Sequence, residues 1–119
     1  MRIRFKKWAR PELEASKFYI DNPEDYKGKW RELFKNPEAP LHLELGCGKG
    51  TFMAKLATRD RNVNHIAIDV VDAMLGLAKR NIEAEFKENN MEIDNVYLTR
   101  FDIERILLIM DKKDSIDRI

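Results

Sequence analysis

Three glycines at alternate positions follow a short apolar run in LELGCGKGTF, residues 43–52. The run LHLEL that leads into them is typical of a strand, and TFMAKLATR after them is typical of a helix. A strand that turns through glycines into a helix is the unit from which parallel α/β sheets are built. In such sheets ligands bind at the carboxyl ends of the strands. The stretch therefore predicts an α/β fold with a candidate site at residues 46–50.

Strand and helix patterns alternate along the rest of the chain. Strands are predicted at 64–70 and 95–101, helices at 72–90 and 103–113, and the start of a fourth strand at 115–119. This order predicts a doubly wound parallel sheet with right-handed crossovers. Because such sheets have about five to seven strands, we expect a sheet truncated after about three. LHLEL would then be an exposed edge at which the chain can self-associate.

Helical periodicity predicts which side chains face the core. The long helix is predicted to start with Asp72 as its N-cap. Its inward stripe is predicted to be Leu75, Ala78, Ile82 and Phe86. The helix after the glycines is predicted to bury Phe52, Met53 and Leu56.

Residues 1–40 are predicted to form a basic arm and a short helix ahead of the sheet domain, residues 41–119. Residues 11–26 read as irregular, and GKWRELF (28–34) reads as a short helix. Trp30 and Phe34 lie four residues apart on one face of that helix, so we expect both in the core.

Composition excludes several classes of protein. The chain has 119 residues, one cysteine and no apolar run near the roughly 20 residues of a membrane helix. A disulfide framework is excluded, and no Cys/His cluster has metal-ligand spacing. These features favour one small domain in a reducing, cytoplasmic setting without a metal.

The first ten residues, MRIRFKKWAR, contain five basic residues and no acidic one. The net charge of the whole chain is only +1, so the rest of it is acidic on balance. A short basic arm with interleaved aromatics suits contact with a nucleic-acid backbone, and the alternative is a solvated start whose aromatics pack on the domain. The candidate nucleic-acid-binding residues are Arg2, Arg4, Lys6 and Lys7.

The glycine loop fails two phosphate-binding patterns. A P-loop needs a glycine at 43 and Ser or Thr at 50, where this chain has Leu43 and Gly50. The dinucleotide pattern GxGxxG fails because the third glycine comes one residue early. Glu44 also lies beside the loop, where a carboxylate opposes a pyrophosphate.

A cationic ligand suits the same carboxylate. S-adenosylmethionine carries an ammonium and a sulfonium group, so Glu44 favours it. Asp69 ends the second strand, at the distance from the glycines where an acid binds ribose hydroxyls. Asp102 ends the third strand, where it can accept from an adenine amino group. The predicted cofactor-binding residues are Glu44, Gly46, Cys47, Gly48, Gly50, Asp69 and Asp102.

Other reactive residue types have simpler interpretations. Cys47 has no paired histidine to activate it, so it is interpreted as a small residue within the loop and not as a nucleophile. His42 and His65 are interpreted as structural. A dinucleotide-binding half of an oxidoreductase and a non-enzymatic module remain as alternatives.

Four segments in this order carry a resemblance to a known family: RIRFKKWA at the start, NPEDYKGKW at 22–30, LELGCGKGTF at 43–52 and HIAIDV at 65–70. Together they resemble the bacterial tRNA (guanine-N(7)-)-methyltransferases, over essentially the whole chain but only the N-terminal half of the family. NPEDYKGKW is the most specific of these segments.

The resemblance implies a class I, Rossmann-like methyltransferase that moves a methyl group from adenosylmethionine to N7 of a guanosine in the tRNA variable loop. Glu44 and the glycine loop would hold the methionine part, Asp69 the ribose and Asp102 the adenine. The family usually has Glu where this chain has Asp69. The family's catalytic segments lie beyond Ile119, so the catalytic residues stay unassigned and the chain alone is expected to be inactive. The alternative is a non-catalytic tRNA-binding or self-associating fragment.

Overall fold

The structure of the protein is a computed structural model, and it describes residues 5–119. Its centre is a parallel sheet of four strands: β1 (Tyr19–Ile20), β2 (Leu41–Leu45), β3 (Asn64–Asp69) and β4 (Val96–Arg100). Their order in the sheet is β1-β4-β3-β2. Helices connect consecutive strands, so the predicted Rossmann-like α/β class is confirmed.

Different kinds of helix lie on the two faces of the sheet. Three α-helices contribute to one apolar cluster: α1 (Ala9–Glu14), α2 (Thr51–Arg59) and α3 (Asp72–Glu88). Short 3-10 helices and loops contribute to a second cluster: Pro23–Tyr26, Trp30–Leu33 and Ile103–Leu108. A fourth 3-10 helix, Lys112–Asp114, follows them in the chain. Ala67 belongs to the first cluster and Ile66 and Ile68 to the second, as the alternation of side chains along β3 requires.

The region predicted to be irregular, residues 11–26, contains the second part of α1 and all of β1. β1 extends the sheet through Tyr19, which pairs with Leu98, and through Ile20, which pairs with Thr99. The Thr99 hydroxyl donates to the Ile20 carbonyl at 2.6 Å. A two-residue strand leaves no periodicity in a sequence, because contacts with β4 stabilise it and its own propensity does not.

Trp30 and Phe34 are buried, as predicted, and so is the stripe of α3. The prediction for α2 is partly wrong, because Phe52 is 69% exposed and Leu56 is only half-buried. The buried residues of α2 are instead Met53, Ala54, Ala57 and Thr58. The inward face of α2 thus carries two small alanines in place of the predicted Phe52.

Asp72 is not the N-cap of α3. Val71 occupies that position and makes no side-chain cap, while Asp72 lies in the first helical turn. The Asp72 carboxylate accepts hydrogen bonds from Arg10 of α1. Asp72 therefore forms an ion pair with Arg10, which is distant in the sequence, and does not cap its own helix.

The single helix predicted at 103–113 is divided into two 3-10 segments. Arg105 has non-helical dihedrals, and Asp111 is extended. The cause is tertiary, because buried Asp114 accepts backbone N–H groups of Gly28, Trp30 and Asp111 at 2.8–3.1 Å. This carboxylate fastens the NPEDYKGKW segment to the second face of the sheet.

The edge of β2 is not fully open. The Leu43 N–H donates to the Arg118 carbonyl at 2.8 Å, and the Asp117 N–H donates to the Leu41 carbonyl at 2.9 Å. Residues 117–118 therefore lie parallel to the first half of β2. The prediction of an uncovered first-strand edge is wrong over Leu41–Leu43. Self-association at this edge stays a prediction, although fewer of its backbone groups are free to pair with another chain.

Candidate ligand-binding site

The glycine loop turns from β2 into α2 through three positive φ angles: 74° at Gly46, 56° at Gly48 and 73° at Gly50. Glycine adopts this left-handed conformation without steric cost. The N–H groups of Gly46 and Cys47 both donate to the Ile68 carbonyl, at 2.8 and 3.3 Å. The loop is thus fixed against the carboxyl end of β3.

The first and last glycines of the loop have different surroundings. A Cβ atom on Gly50 would lie 2.6 Å from the Ala78 Cβ and 2.8 Å from its Cα, so the absence of a side chain lets α3 approach. A Cβ atom on Gly46 would meet nothing within 4 Å. Gly50 therefore serves helix packing, whereas Gly46 faces open space where a ligand can approach the backbone.

The Asp69 side chain, at the end of β3, accepts hydrogen bonds from two backbone segments: the glycine loop and the turn that follows β3. Its Oδ2 accepts the Gly48 N–H at 3.2 Å, and its Oδ1 accepts the Val71 N–H at 3.1 Å. The side chain is half-buried, so part of the carboxylate remains accessible. Asp69 thus positions the glycine loop in addition to the ribose-binding role predicted for it.

The loop has little capacity for a phosphate. Four of its N–H groups already have acceptors inside the protein: those of Gly46, Cys47, Gly48 and Gly50. A phosphate-binding loop instead presents free N–H groups to its anion. The geometry agrees with the failure of both phosphate patterns in the sequence.

Electrostatics around the loop are negative. Burial, followed by the charges of Asp69 and Glu44, raises the pKa of the Cys47 thiol to about 12. The thiol is therefore protonated at neutral pH, in agreement with the interpretation that Cys47 is not a nucleophile. Both carboxylates also favour a cationic ligand beside the loop.

Glu44 lies on β2 on the face that α2 covers. It lines a cavity of about 320 Å³ together with Phe52 and Leu56 of α2, and with His42 and His65. Gly46, Asp69 and Asp102 do not line this cavity. The structure thus places Glu44 at the border between the cavity and the loop, and the other predicted residues on an open edge.

Asp102 lies two residues after the end of β4 and is exposed. Its Oδ1 accepts the Glu104 N–H at 3.0 Å and caps the 3-10 helix there. The neighbouring Phe101 N–H donates to the Asp69 carbonyl at 3.1 Å, so the ends of β3 and β4 are adjacent. The structure therefore brings Asp69 and Asp102 to one edge, together with the glycine loop.

Sequence reasoning missed other residues at this edge. Val70 and Val71 follow Asp69 and are exposed, so they offer an apolar surface to a flat ring. The Asn81 side chain donates to the Lys49 carbonyl at 2.8 Å and secures the loop from α3. The signal in the sequence that could have identified the two valines is their place: an apolar pair directly follows the acid at the end of β3.

The basic arm divides into an exposed part and a packed part. Phe5 is 82% exposed and Lys7 is exposed, while Lys6 is half-buried. Trp8 lies against α3 with the Arg80 guanidinium 3.5 Å from its ring centroid. Trp8 therefore follows the packing alternative, and Phe5 remains available to stack. The predicted contacts Arg2 and Arg4 lie outside the described residues.

Residues 5–119 contain no cluster of three or more His, Cys, Asp or Glu side chains arranged to hold a metal ion. No helix in that range combines the length and apolar composition needed to cross a membrane.

His42 and His65 pack edge to face with ring centroids 5.7 Å apart.

Comparisons with known proteins identify a family and several relatives of this chain. A family profile described as "Putative methyltransferase" matches residues 38–119. The whole chain is 54% identical to a protein named tRNA (guanine-N(7)-)-methyltransferase from Clostridium perfringens (strain SM101 / Type A), covering 54% of it. It is 47% identical to the protein of that name from Acetivibrio thermocellus and 44% identical to that from Clostridium tetani, covering 54% and 53% of them.

A solved structure titled "Structure of an Antibiotic Related Methyltransferase" matches 66% of this chain and 37% of its own, with a TM-score of 0.44 and 25% identity. The chain spans about half the length of the curated relatives it matches. The resemblance inferred from the sequence is confirmed by these relatives. Because the profile covers more than half of the chain, the chain belongs to the methyltransferase family that the profile describes.

Proposed function

We propose that the chain is the cofactor-binding half of an S-adenosylmethionine-dependent tRNA (guanine-N(7)-)-methyltransferase. The observation that carries this proposal is the meeting of the glycine loop with Asp69 and Asp102 at one edge of the sheet, beside Glu44. The names of the relatives supply the substrate. The cytoplasmic setting is part of the proposal, because tRNA modification takes place there in bacteria.

The residues present fit adenosylmethionine by their chemistry. Glu44 offers a negative charge to the cationic amino acid part, and the open face of Gly46 lets that part approach the backbone. Asp69 retains acceptor capacity for ribose hydroxyls, and Asp102 retains it for an adenine amino group. Val70 supplies an apolar surface for the ring. When bound, the cofactor supplies an electrophilic methyl group.

Methyl transfer to guanine N7 requires little proton transfer, because N7 already presents a lone pair. The chemistry therefore depends mainly on holding N7 in line with the methyl group. No residue of this chain is assigned to that task. We expect the 119-residue chain alone to bind adenosylmethionine without methylating tRNA.

Calorimetry with adenosylmethionine and with NAD tests the cofactor class. The proposal predicts saturable binding of adenosylmethionine and none of NAD, because the loop N–H groups are engaged and the loop lies between carboxylates. Preferential binding of NAD would instead support the oxidoreductase alternative. Robust methyl transfer to tRNA by the 119-residue chain would contradict the assignment of catalysis to a part that this chain lacks.

The arm is proposed to contact tRNA through Arg2, Arg4, Lys6 and Lys7. The exposure of Phe5 and Lys7 favours this role, because both are available to an RNA strand. Replacing the four basic residues by alanine should make tRNA affinity less dependent on salt concentration. The slope should fall by the equivalent of up to about four ions released on binding. An unchanged slope would remove the arm from the interface.

A non-catalytic tRNA-binding fragment remains the second candidate, and the same exposed arm favours it. It predicts salt-dependent tRNA binding with no affinity for adenosylmethionine. The calorimetric titration therefore separates the two candidates.

A further inference from the structure

The helix that follows the basic arm has a defined seat on α3. Trp8 lies across Gly76, where an added Cβ would come within 2.9 Å of the indole ring. Glu12 accepts from Arg80 at 2.8 and 2.9 Å, and the Arg80 guanidinium lowers the pKa of Glu12 to about 2. The packing of Trp8 and the ion pair of Glu12 thus hold α1 against α3.

From this seat Arg10 reaches the first turn of α3. Its Nε and Nη2 atoms donate to the Asp72 Oδ2 at 3.1 and 2.9 Å. Arg100, at the end of β4, approaches the Asp72 Oδ1 at 3.4 Å and donates to the Val70 carbonyl at 3.1 Å. Asp72 is therefore held from α1 on one side and from β4 on the other.

The same turn holds the candidate cofactor site. Val71, next to Asp72, donates to Asp69, and Asp69 in turn accepts from Gly48 of the glycine loop. A continuous set of hydrogen bonds and the Val71–Asp72 peptide bond thus joins Arg10 to Gly48, although the side-chain hydrogen bonds described for Arg10 go to Asp72 and not to the loop. Any displacement of Asp72 changes where the Val71 N–H fixes the Asp69 carboxylate.

We infer that Arg10 is a positioning residue for the cofactor site, acting through Asp72, and that it couples the seating of the arm to cofactor binding. The inference rests on the proposed function for the identity of the two ligands, adenosylmethionine at the loop and tRNA at the arm. Coupling of this kind is reciprocal, so tRNA on the arm would alter cofactor affinity by the same factor as the cofactor alters tRNA affinity. We expect a factor of about five, at the low end of typical couplings.

Hydrogen exchange on the ligand-free chain tests the positioning role without any cofactor. In Arg10→Ala and Asp72→Asn, the amides of Gly48 and Val71 should exchange at least about fivefold faster. The His65 amide, bonded to the Asn95 carbonyl in the sheet, should keep its rate. Arg59→Ala is the matched control, since Arg59 is an exposed arginine at the last position of α2 that also pairs with an aspartate, Asp60.

Two results of this experiment would overturn the inference. One is unchanged exchange at Gly48 and Val71 in Arg10→Ala. The other is an equal increase at all three amides, which would mean general destabilisation. Faster exchange at Gly48 and Val71 alone supports it.

Calorimetry then measures the consequence for the cofactor. Arg10→Ala should bind adenosylmethionine about fivefold more weakly than the unaltered chain, with Arg10→Lys between them and Arg59→Ala unchanged. Full affinity in Arg10→Ala would overturn the coupling. If the unaltered chain binds no adenosylmethionine, the proposed function fails, and the exchange rates still decide whether Arg10 positions the loop.

Discussion

The Asp69 carboxylate accepts the N–H of Gly48 at 3.2 Å, across the gap between the end of β3 and the loop that follows β2. This side chain therefore shapes the loop, and we propose that it also offers acceptors to a ligand. On this proposal, losing the carboxylate should weaken binding in two ways, by releasing the loop and by removing ligand acceptors.

Replacing Asp69 by alanine should weaken adenosylmethionine binding at least about tenfold, because one charge-assisted hydrogen bond contributes roughly 1.5–3 kcal/mol. Asp69→Asn keeps an acceptor for one flanking N–H and should lose less. Calorimetry on the two variants measures the difference. Unchanged affinity in Asp69→Ala would remove Asp69 from the cofactor site.

The two outer glycines of the loop should fail in different ways. Gly50→Ala forces a Cβ to within 2.6 Å of Ala78 and should destabilise the fold by more than about 2 kcal/mol. Gly46→Ala meets no atom within 4 Å, so its cost is the left-handed φ angle, about 1 kcal/mol. Urea unfolding of both variants measures this contrast.

Cofactor affinity should be lost specifically in Gly46→Ala, because its new methyl group points into the open space beside the loop. The variant should remain folded while its affinity for adenosylmethionine falls. Equal stability losses in the two variants, or full affinity in Gly46→Ala, would contradict the division of roles between the glycines.

Asp114 should be the most costly carboxylate to remove for stability. Asp114→Ala leaves three backbone N–H groups without their acceptor in a buried site, which should cost about 3 kcal/mol. Asp111→Ala, at an exposed cap of the same segment, should cost about 1 kcal/mol. Denaturant midpoints of the two variants test the ranking, which equal losses would refute.

His65 should make stability depend on pH. Its side chain is fully buried, neither ring nitrogen has a hydrogen-bond partner in the described chain, and burial lowers its pKa from 6.5 to about 4. The proton therefore prefers the unfolded chain. Stability is complete above pH 6.5 and falls as pH drops toward 4, by about 3 kcal/mol from this group.

His65→Leu separates this contribution from those of other groups. His42 and Asp60 also face the ring, so their charges enter the same titration. The leucine variant should lose most of the slope between pH 6.5 and 4.5, where few carboxylates titrate. A slope equal to that of the unaltered chain would show that His65 does not carry the proton.

The sequence predicted the elements that carry their own periodicity. α2 and α3, three strands and the glycine loop all lie where the pattern placed them. The elements that it missed depend on distant partners. β1 needs β4, α1 is held by Arg80 and Asp72, and the 103–113 segment is bent by the contacts of Asp114.

For the site, residue types at strand ends were sufficient to bring Asp69 and Asp102 to one edge, because parallel strands end together. The second role of Asp69 was not predictable, since it depends on the position of the Gly48 N–H in three dimensions. The exposure of Phe52 was missed for a similar reason. The rotation of α2 is set by its alanines packing inward, which periodicity alone does not determine.

An NMR titration of the ¹⁵N-labelled 119-residue chain with adenosylmethionine tests the proposed cofactor site most directly. The amides of residues 46–50, 69–71 and 102–104 should shift together and saturably, while those in the middle of α3 should not. Shifts confined to the cavity between β2 and α2, or no shifts at saturating cofactor, would contradict an adenosylmethionine site at the carboxyl edge of this sheet.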